Sequence, residues 1–147
     1  MNLSIGQIVL ERAEFAHRED YLRLEQNTAL PPSSVEMTVQ VQHAEGNAKG
    51  AALVRVAASS GDDALYHFAV TYVVFYGMEW EGDEPVPDDL DRRLMVTGAT
   101  MLFPFLRETV ANLTSRGRFG PSWLTPTNFN TLVPTPAAPE ALASASQ

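Results

Sequence analysis

The run from Leu65 to Trp80, LYHFAVTYVVFYGMEW, constrains the fold more than any other part of this chain. Its dense aromatic and β-branched content favours a strand over a helix, because such side chains fit a pleated, half-buried surface. Strand periodicity divides it into two faces. One carries Tyr66, Phe68, Val70, Tyr72, Val74, Tyr76, Met78 and Trp80; the other carries Leu65, His67, Ala69, Thr71, Val73, Phe75, Gly77 and Glu79. Bulky apolar groups stand on both. A single helix packed on the sheet covers only one face, so the remainder must meet another subunit, meet a ligand or stay exposed.

Three further strands precede it. Ile5 to Phe15 is an imperfectly alternating segment anchored by Ile8, Leu10 and Phe15. Val35 to Gln42 alternates cleanly, with Val35, Met37, Val39 and Val41 on one face. Gly50 to Ala58 follows the Gly46-Asn47 turn, and Ser59-Ser60-Gly61-Asp62-Asp63 is the next turn. Between the first two strands lies a polar connection, Arg18 to Ser34. It carries Tyr21, Leu22, Leu24 and Leu30 and is closed by Pro31-Pro32. A connection of that length without its own structure is commonly functional. After the fourth strand, an acidic linker leads to a helix entered at Pro87-Asp88-Asp89, where the helix dipole favours acids. The helix continues through Leu90, Leu94, Leu102, Leu106, Val110 and Leu113 and stops at Arg116-Gly117. Pro104 in its body predicts a kink. The expected architecture is α+β: four antiparallel strands in meander order followed by one long kinked helix. Residues 1–133 form the domain; Pro134, Pro136 and Pro139 mark residues 134–147 as a Pro/Ala-rich tail expected to be disordered.

Composition excludes several function classes. The net charge of −8, from 18 acidic and 10 basic residues, with Lys49 the only lysine, argues against nucleic-acid binding. There is no P-loop or Gly-rich phosphate fingerprint. The absence of cysteine removes disulfides, thiolate zinc sites and thiol nucleophiles. No leader pattern and no stretch apolar enough for a bilayer is present, so a cytoplasmic protein without membrane insertion is expected. The acids between Glu79 and Asp91 lack EF-hand spacing and read as a solvated linker with helix-start acids rather than a cation site. His17, His43 and His67 lack metal-ligand spacing, and no nucleophile elbow accompanies them; neither a catalytic nor a metal site is expected.

One motif set points to a family. Leu102-Phe103-Pro104-Phe105 leads to Arg107-Glu108, then Ser115-Arg116-Gly117 with Phe119, and later Pro126, Asn128 and Phe129. This run resembles the C-terminal signature of the SecB family of export chaperones. The resemblance implies a SecB-like fold assembled as a dimer of dimers and an ATP-independent holdase. Such a protein needs no cofactor and keeps unfolded or nascent polypeptides soluble and competent for export or assembly. In that family the crossover after the first strand helps line hydrophobic client grooves. Tyr21, Leu22, Leu24 and Leu30 are accordingly assigned to client binding, together with Tyr66, Phe68, Phe129 and Leu132. Leu94, Met101, Pro104, Phe105, Arg107 and Glu108 are assigned to the homotetramer interface. Where SecA-delivering members carry acids, this chain has Arg12, Ala16 and Ala69, which argues against delivery to SecA. The alternatives are an adaptor of the same fold dedicated to one partner, such as an antitoxin, and a small-ligand binder or enzyme using the space between sheet and helix.

Overall fold

The computed structural model of the protein describes residues 1–25 and 35–133. Its elements are β1 (Asn2–His17), β2 (Val35–His43), β3 (Ala52–Ser60), β4 (Tyr66–Glu79), α1 (Leu90–Thr114) and α2 (Phe129–Leu132). Short 3-10 turns lie at Tyr21–Arg23 and Ala44–Gly46. The α+β composition agrees with the sequence reading. Leu30 and the tail from 134 onward lie outside the described residues.

The strand order corrects the expected meander. The four-stranded sheet runs β1-β4-β3-β2, antiparallel throughout. The last three strands form a meander, but β1 lies beyond β4 rather than beside β2. Strand length gives the physical reason. β1 has 16 residues and β4 has 14, whereas β2 and β3 have 9 each, so the two longest strands pair with each other. Their register runs from Asn2 opposite Glu79 to His17 opposite Tyr66. The connection after β1 must therefore cross the sheet, which explains why it is too long for a hairpin.

The core lies between the sheet and α1. Val54 and Val56 of β3, Val70 and Val74 of β4, and Leu102, Leu106 and Val110 of α1 are all fully buried. Each such side chain contributes about 1.5–3 kcal/mol relative to exposure. Gly98 marks the closest approach of helix to sheet. A Cβ built there would stand 2.9 Å from Val54 Cβ, so only glycine permits this crossing. Pro104 lies within α1, which runs as one element from Leu90 to Thr114. Both Pro104 and Thr100 are exposed, so water can reach the Thr100 carbonyl that the proline leaves without a helical donor.

The opposite face of the sheet has its own cover. Arg55 on β3 reaches across β4 to Glu11 on β1, donating from Nε and Nη2 to the two carboxylate oxygens at 2.9 and 3.0 Å. Val73 and Thr71 of the intervening strand are 2% and 8% exposed. Phe75, farther along the same face, remains 42% exposed.

A candidate binding groove beside the edge strand

After α1 the chain turns back across the helix as an extended strap, from Gly117 to Asn128, and ends in α2. Among the described residues its stretch from Pro121 to Thr127 has no backbone-to-backbone hydrogen bond. Side chains of the sheet and helix fasten it instead. The Tyr66 hydroxyl accepts from Phe119 N and donates to Gly120 O, both at 2.8 Å. Thr114 Oγ1 accepts from Ser122 N at 2.8 Å. Arg107 Nε donates to Leu124 O at 3.2 Å, and its guanidinium sits 4.9 Å from the centre of the Trp123 ring. Arg92 Nη2 donates to Asn130 O at 3.0 Å. Leu124 and Phe129 are the apolar pegs, 2% and 4% exposed. Asn128 caps α2 by accepting from Asn130 N at 3.0 Å.

The strap runs beside β2 without closing on it, leaving a groove of about 520 Å³. Val35 and Met37 of β2 form one wall; Leu124, Thr125, Pro126, Thr127 and Asn128 form the other, with Thr131 and Leu132 of α2 at the end. Thr127 Oγ1 approaches Met37 Sδ at 3.7 Å. Among the described residues the lining carries no ionisable side chain. It offers apolar surface with hydroxyl and amide groups at the rim, a chemistry suited to binding rather than proton transfer. Among the described residues β2 is also the end strand of the sheet, paired with β3 alone, so its outer edge presents backbone donors and acceptors with no strand partner among them.

The start of the crossover is tied to the strap's first turn. His17 Nε2 accepts from Arg118 N at 3.0 Å, and Arg118 Nη2 donates to Leu24 O at 3.2 Å. The His17 ring stacks on Tyr21 with centroids 4.2 Å apart. Burial holds the Tyr66 hydroxyl above the usual tyrosine range, opposed by the Phe119 amide it accepts from. Arg18 Nε bonded to Asp20 Oδ1 at 2.6 Å holds the Asp20 carboxyl below the usual range.

The assigned residues divide accordingly. Leu132 lines the groove. Tyr21 and Leu24 are half-buried in the crossover, and Leu22 is 70% exposed there. Tyr66, Phe68 and Phe129 are core residues with at most 6% exposure, so the surface they were expected to offer a client is taken up by packing within the subunit. Phe129 rests edge-on against Phe103. Leu94, expected at a subunit interface, is 1% exposed and likewise belongs to the subunit's own core. Met101 is half-buried; Pro104, Phe105 and Glu108 stand on the exposed side of α1. Arg107, expected to pair with a carboxylate across a subunit contact, is engaged within the chain by Leu124 and Trp123. Sequence reasoning missed Val35, Met37 and Trp123 as site residues. The clean alternation of β2 is the available signal for the first two; it marks a half-buried strand without saying what lies against each residue.

These residues build an α+β domain with a long helix on one face of an antiparallel sheet and a groove between the edge strand and the strap. The family comparison makes this specific. The model of the family described as preprotein translocase subunit SecB matches residues 14–138, and the chain belongs to that family. The SecB protein-export protein of Wolbachia pipientis subsp. Culex pipiens (strain wPip) is 35% identical over 71 residues, 48% of this chain and 42% of that protein. That of Wolbachia sp. subsp. Brugia malayi (strain TRS) is 42% identical over 45 residues, 31% of this chain and 27% of that protein. The matched stretches thus span less than half the length of these curated relatives. Among solved structures, the Mycobacterium tuberculosis Rv1957 SecB-like chaperone, in complex with a ChAD peptide from the Rv1956 HigA1 antitoxin, superposes with a TM-score of 0.64 at 20% identity. That superposition covers 84% of this chain and 86% of the other, and it establishes the shared fold. No helix among the described residues is long and apolar enough to cross a membrane.

Proposed function

We propose that this protein is an ATP-independent chaperone that holds non-native polypeptide in the groove between β2 and the strap. The carrying observation is that, among the described residues, a groove of apolar and uncharged polar side chains lies beside a strand edge without a strand partner. Extended client chain supplies backbone partners for the edge, while its apolar side chains enter the groove; a folded protein presents neither. Binding only the unfolded state withdraws it from aggregation by mass action, with no need for nucleotide. Tyr21, Leu22, Leu24 and Leu30 extend the binding surface along the crossover.

The working assembly is a homotetramer, a dimer of dimers acting in the cytoplasm. Support comes from an apolar shelf that the subunit does not cover. Leu3, Ile5 and Leu10 of the edge strand β1 are 47%, 57% and 47% exposed on the helix side of the sheet. Phe105 of α1, 41% exposed, faces Tyr72 beside them at 5.8 Å. A second copy burying this shelf removes both the apolar patch and a free edge. Pro104, Met101 and Glu108 extend the interface along α1.

A dedicated adaptor is the second reading, favoured by the antitoxin peptide bound to the Rv1957 structure. Arg12, Ala16 and Ala69 at the places of the SecA-contacting acids speak against SecA as a partner. The deciding test is light-scattering titration with a chemically unfolded client and with the same protein in its native form. A tetramer that binds only the unfolded form is the expected result. Failure to bind either form rejects the general chaperone and turns the search to a co-purifying partner.

A further inference from the structure

The strap has free space on both sides. Toward β2 lies the groove; toward α1 lies a second cavity of about 390 Å³, lined by Phe103, Pro104, Arg107, Glu108, Trp123 and Pro126. Pro126 lines both, so the strap is the partition between them. Beyond the buried Leu124 peg, Thr125 and Pro126 are exposed and have no backbone-to-backbone bond among the described residues. Between Leu124 and Asn128 the partition is held by the Thr127 hydroxyl, 3.7 Å from Met37 Sδ and 3.1 Å from Thr125 O. Its leading end is gripped from two directions by one side chain: Arg107 donates to the Leu124 carbonyl and lies over the Trp123 ring. Trp123 is 57% exposed.

We propose that Arg107 and Trp123 form a clasp that sets the strap's resting position and hence the width of the groove. Arg107 is then a positioning residue that governs which client side chains are admitted. The clasp tethers the strap to α1, while Thr127 Oγ1 ties it to Met37 on β2; releasing the clasp lets the strap lean toward β2 and narrow the groove, with no backbone ladder to break. With the clasp closed, the groove admits bulky aromatic side chains. With it released, slender side chains are favoured. The planar guanidinium suits both contacts at once, whereas an amide supplies neither the charge nor the stacking surface.

This inference rests on the groove being the client site, and the experiment separates the two claims. Trp80→Phe leaves Trp123 as the sole tryptophan of the two in the chain. In that background Arg107, Arg107→Lys and Arg107→Gln are compared, each checked for native near-ultraviolet circular dichroism. Two fluorescein-labelled unstructured peptides, identical except for alanine or phenylalanine at one position, report affinity by anisotropy. Arg107→Gln is expected to shift Trp123 emission and to lower the phenylalanine-over-alanine affinity ratio about fivefold. Arg107→Lys, which retains the cation but not the planar fork, recovers only part of both. A ratio that stays at the wild-type value overturns the proposal, whatever the emission does. Should the wild type bind neither peptide, the chaperone reading falls. Acrylamide quenching of Trp123 fluorescence then decides the clasp alone: stronger quenching in Arg107→Gln supports it and unchanged quenching overturns it.

Discussion

Replacing Gly98 with alanine tests how closely the helix lies on the sheet. The new Cβ would stand 2.9 Å from both Cβ and Cγ1 of Val54 and 3.2 Å from Cγ2. Ordinary carbon contacts are about 3.5–4.0 Å, so the pair is too close by roughly half an ångström or more. Val54 cannot retreat. It is fully buried and held between Val41 on β2 and Val74 on β4. The helix must lift, loosening Leu94 and Leu102 on either side. Overpacking of this kind costs about 1–3 kcal/mol, while alanine returns up to about 1 kcal/mol of helix propensity. The net expectation is a loss of about 1–2 kcal/mol, or a Tm lower by roughly 2–8 °C at this chain length. The assay is thermal and urea unfolding of Gly98→Ala, Val54→Ala and the double variant. Removing the Val54 methyls clears the Cγ1 and Cγ2 contacts but leaves Cβ, so the Gly98→Ala penalty should shrink in part, by about 0.5–1 kcal/mol, in the Val54→Ala background. A Gly98→Ala protein as stable as wild type, or more stable, refutes this account of the interface.

Three further outcomes follow from the same geometry. Tyr66→Phe removes the hydroxyl that serves Phe119 N and Gly120 O; a loss of about 1–3 kcal/mol in urea unfolding is expected, with faster amide exchange at Phe119. The Asp20 carboxyl is held below its ordinary range chiefly by its hydrogen bond to Arg18. Its contribution is therefore present above the ordinary aspartate pKa of about 4 and is lost as pH falls through the depressed folded value. Wild type and Asp20→Asn should differ in urea midpoint at neutral pH and converge in acid; a gap that widens in acid contradicts this pairing. Met37→Asp places a charge in the uncharged groove and should weaken unfolded-client binding by at least about tenfold, equivalent to 1.4 kcal/mol. Retained affinity in a folded Met37→Asp protein moves the client site elsewhere.

The edge strand shows what a sequence discloses and what it hides. In β1 the apolar residues Leu3, Ile5, Ile8, Leu10 and Phe15 do not alternate, and read alone they describe a poor strand. The register shows why they still share a face. Irregularities between Ile5 and Ile8 and between Leu10 and Arg12 each insert one residue, returning the next apolar side chain to the helix side. A bulge is a property of the pair, so it cannot be read from one strand. The same holds for strand order: periodicity identifies β1 and β4 as strands but says nothing of which neighbours which.

The groove was half legible for a related reason. Its β2 wall announces itself by alternation, and Pro126, Asn128 and Phe129 by motif. The strap has no period at all, because its backbone is satisfied by side chains from distant elements. Tyr66, Thr114, Arg107 and Arg92 look like ordinary strand and helix residues until the fold brings them to carbonyls and amides up to 54 positions away. This division of labour bears on binding. A wall held by a regular ladder moves only when several backbone bonds break together. A wall held by separate side chains can yield at one fastening while the others hold. Adaptable recognition of many sequences needs the second kind of wall, and Tyr66 with two bonds anchors the strap where Arg107 and Trp123, at the surface, leave it adjustable.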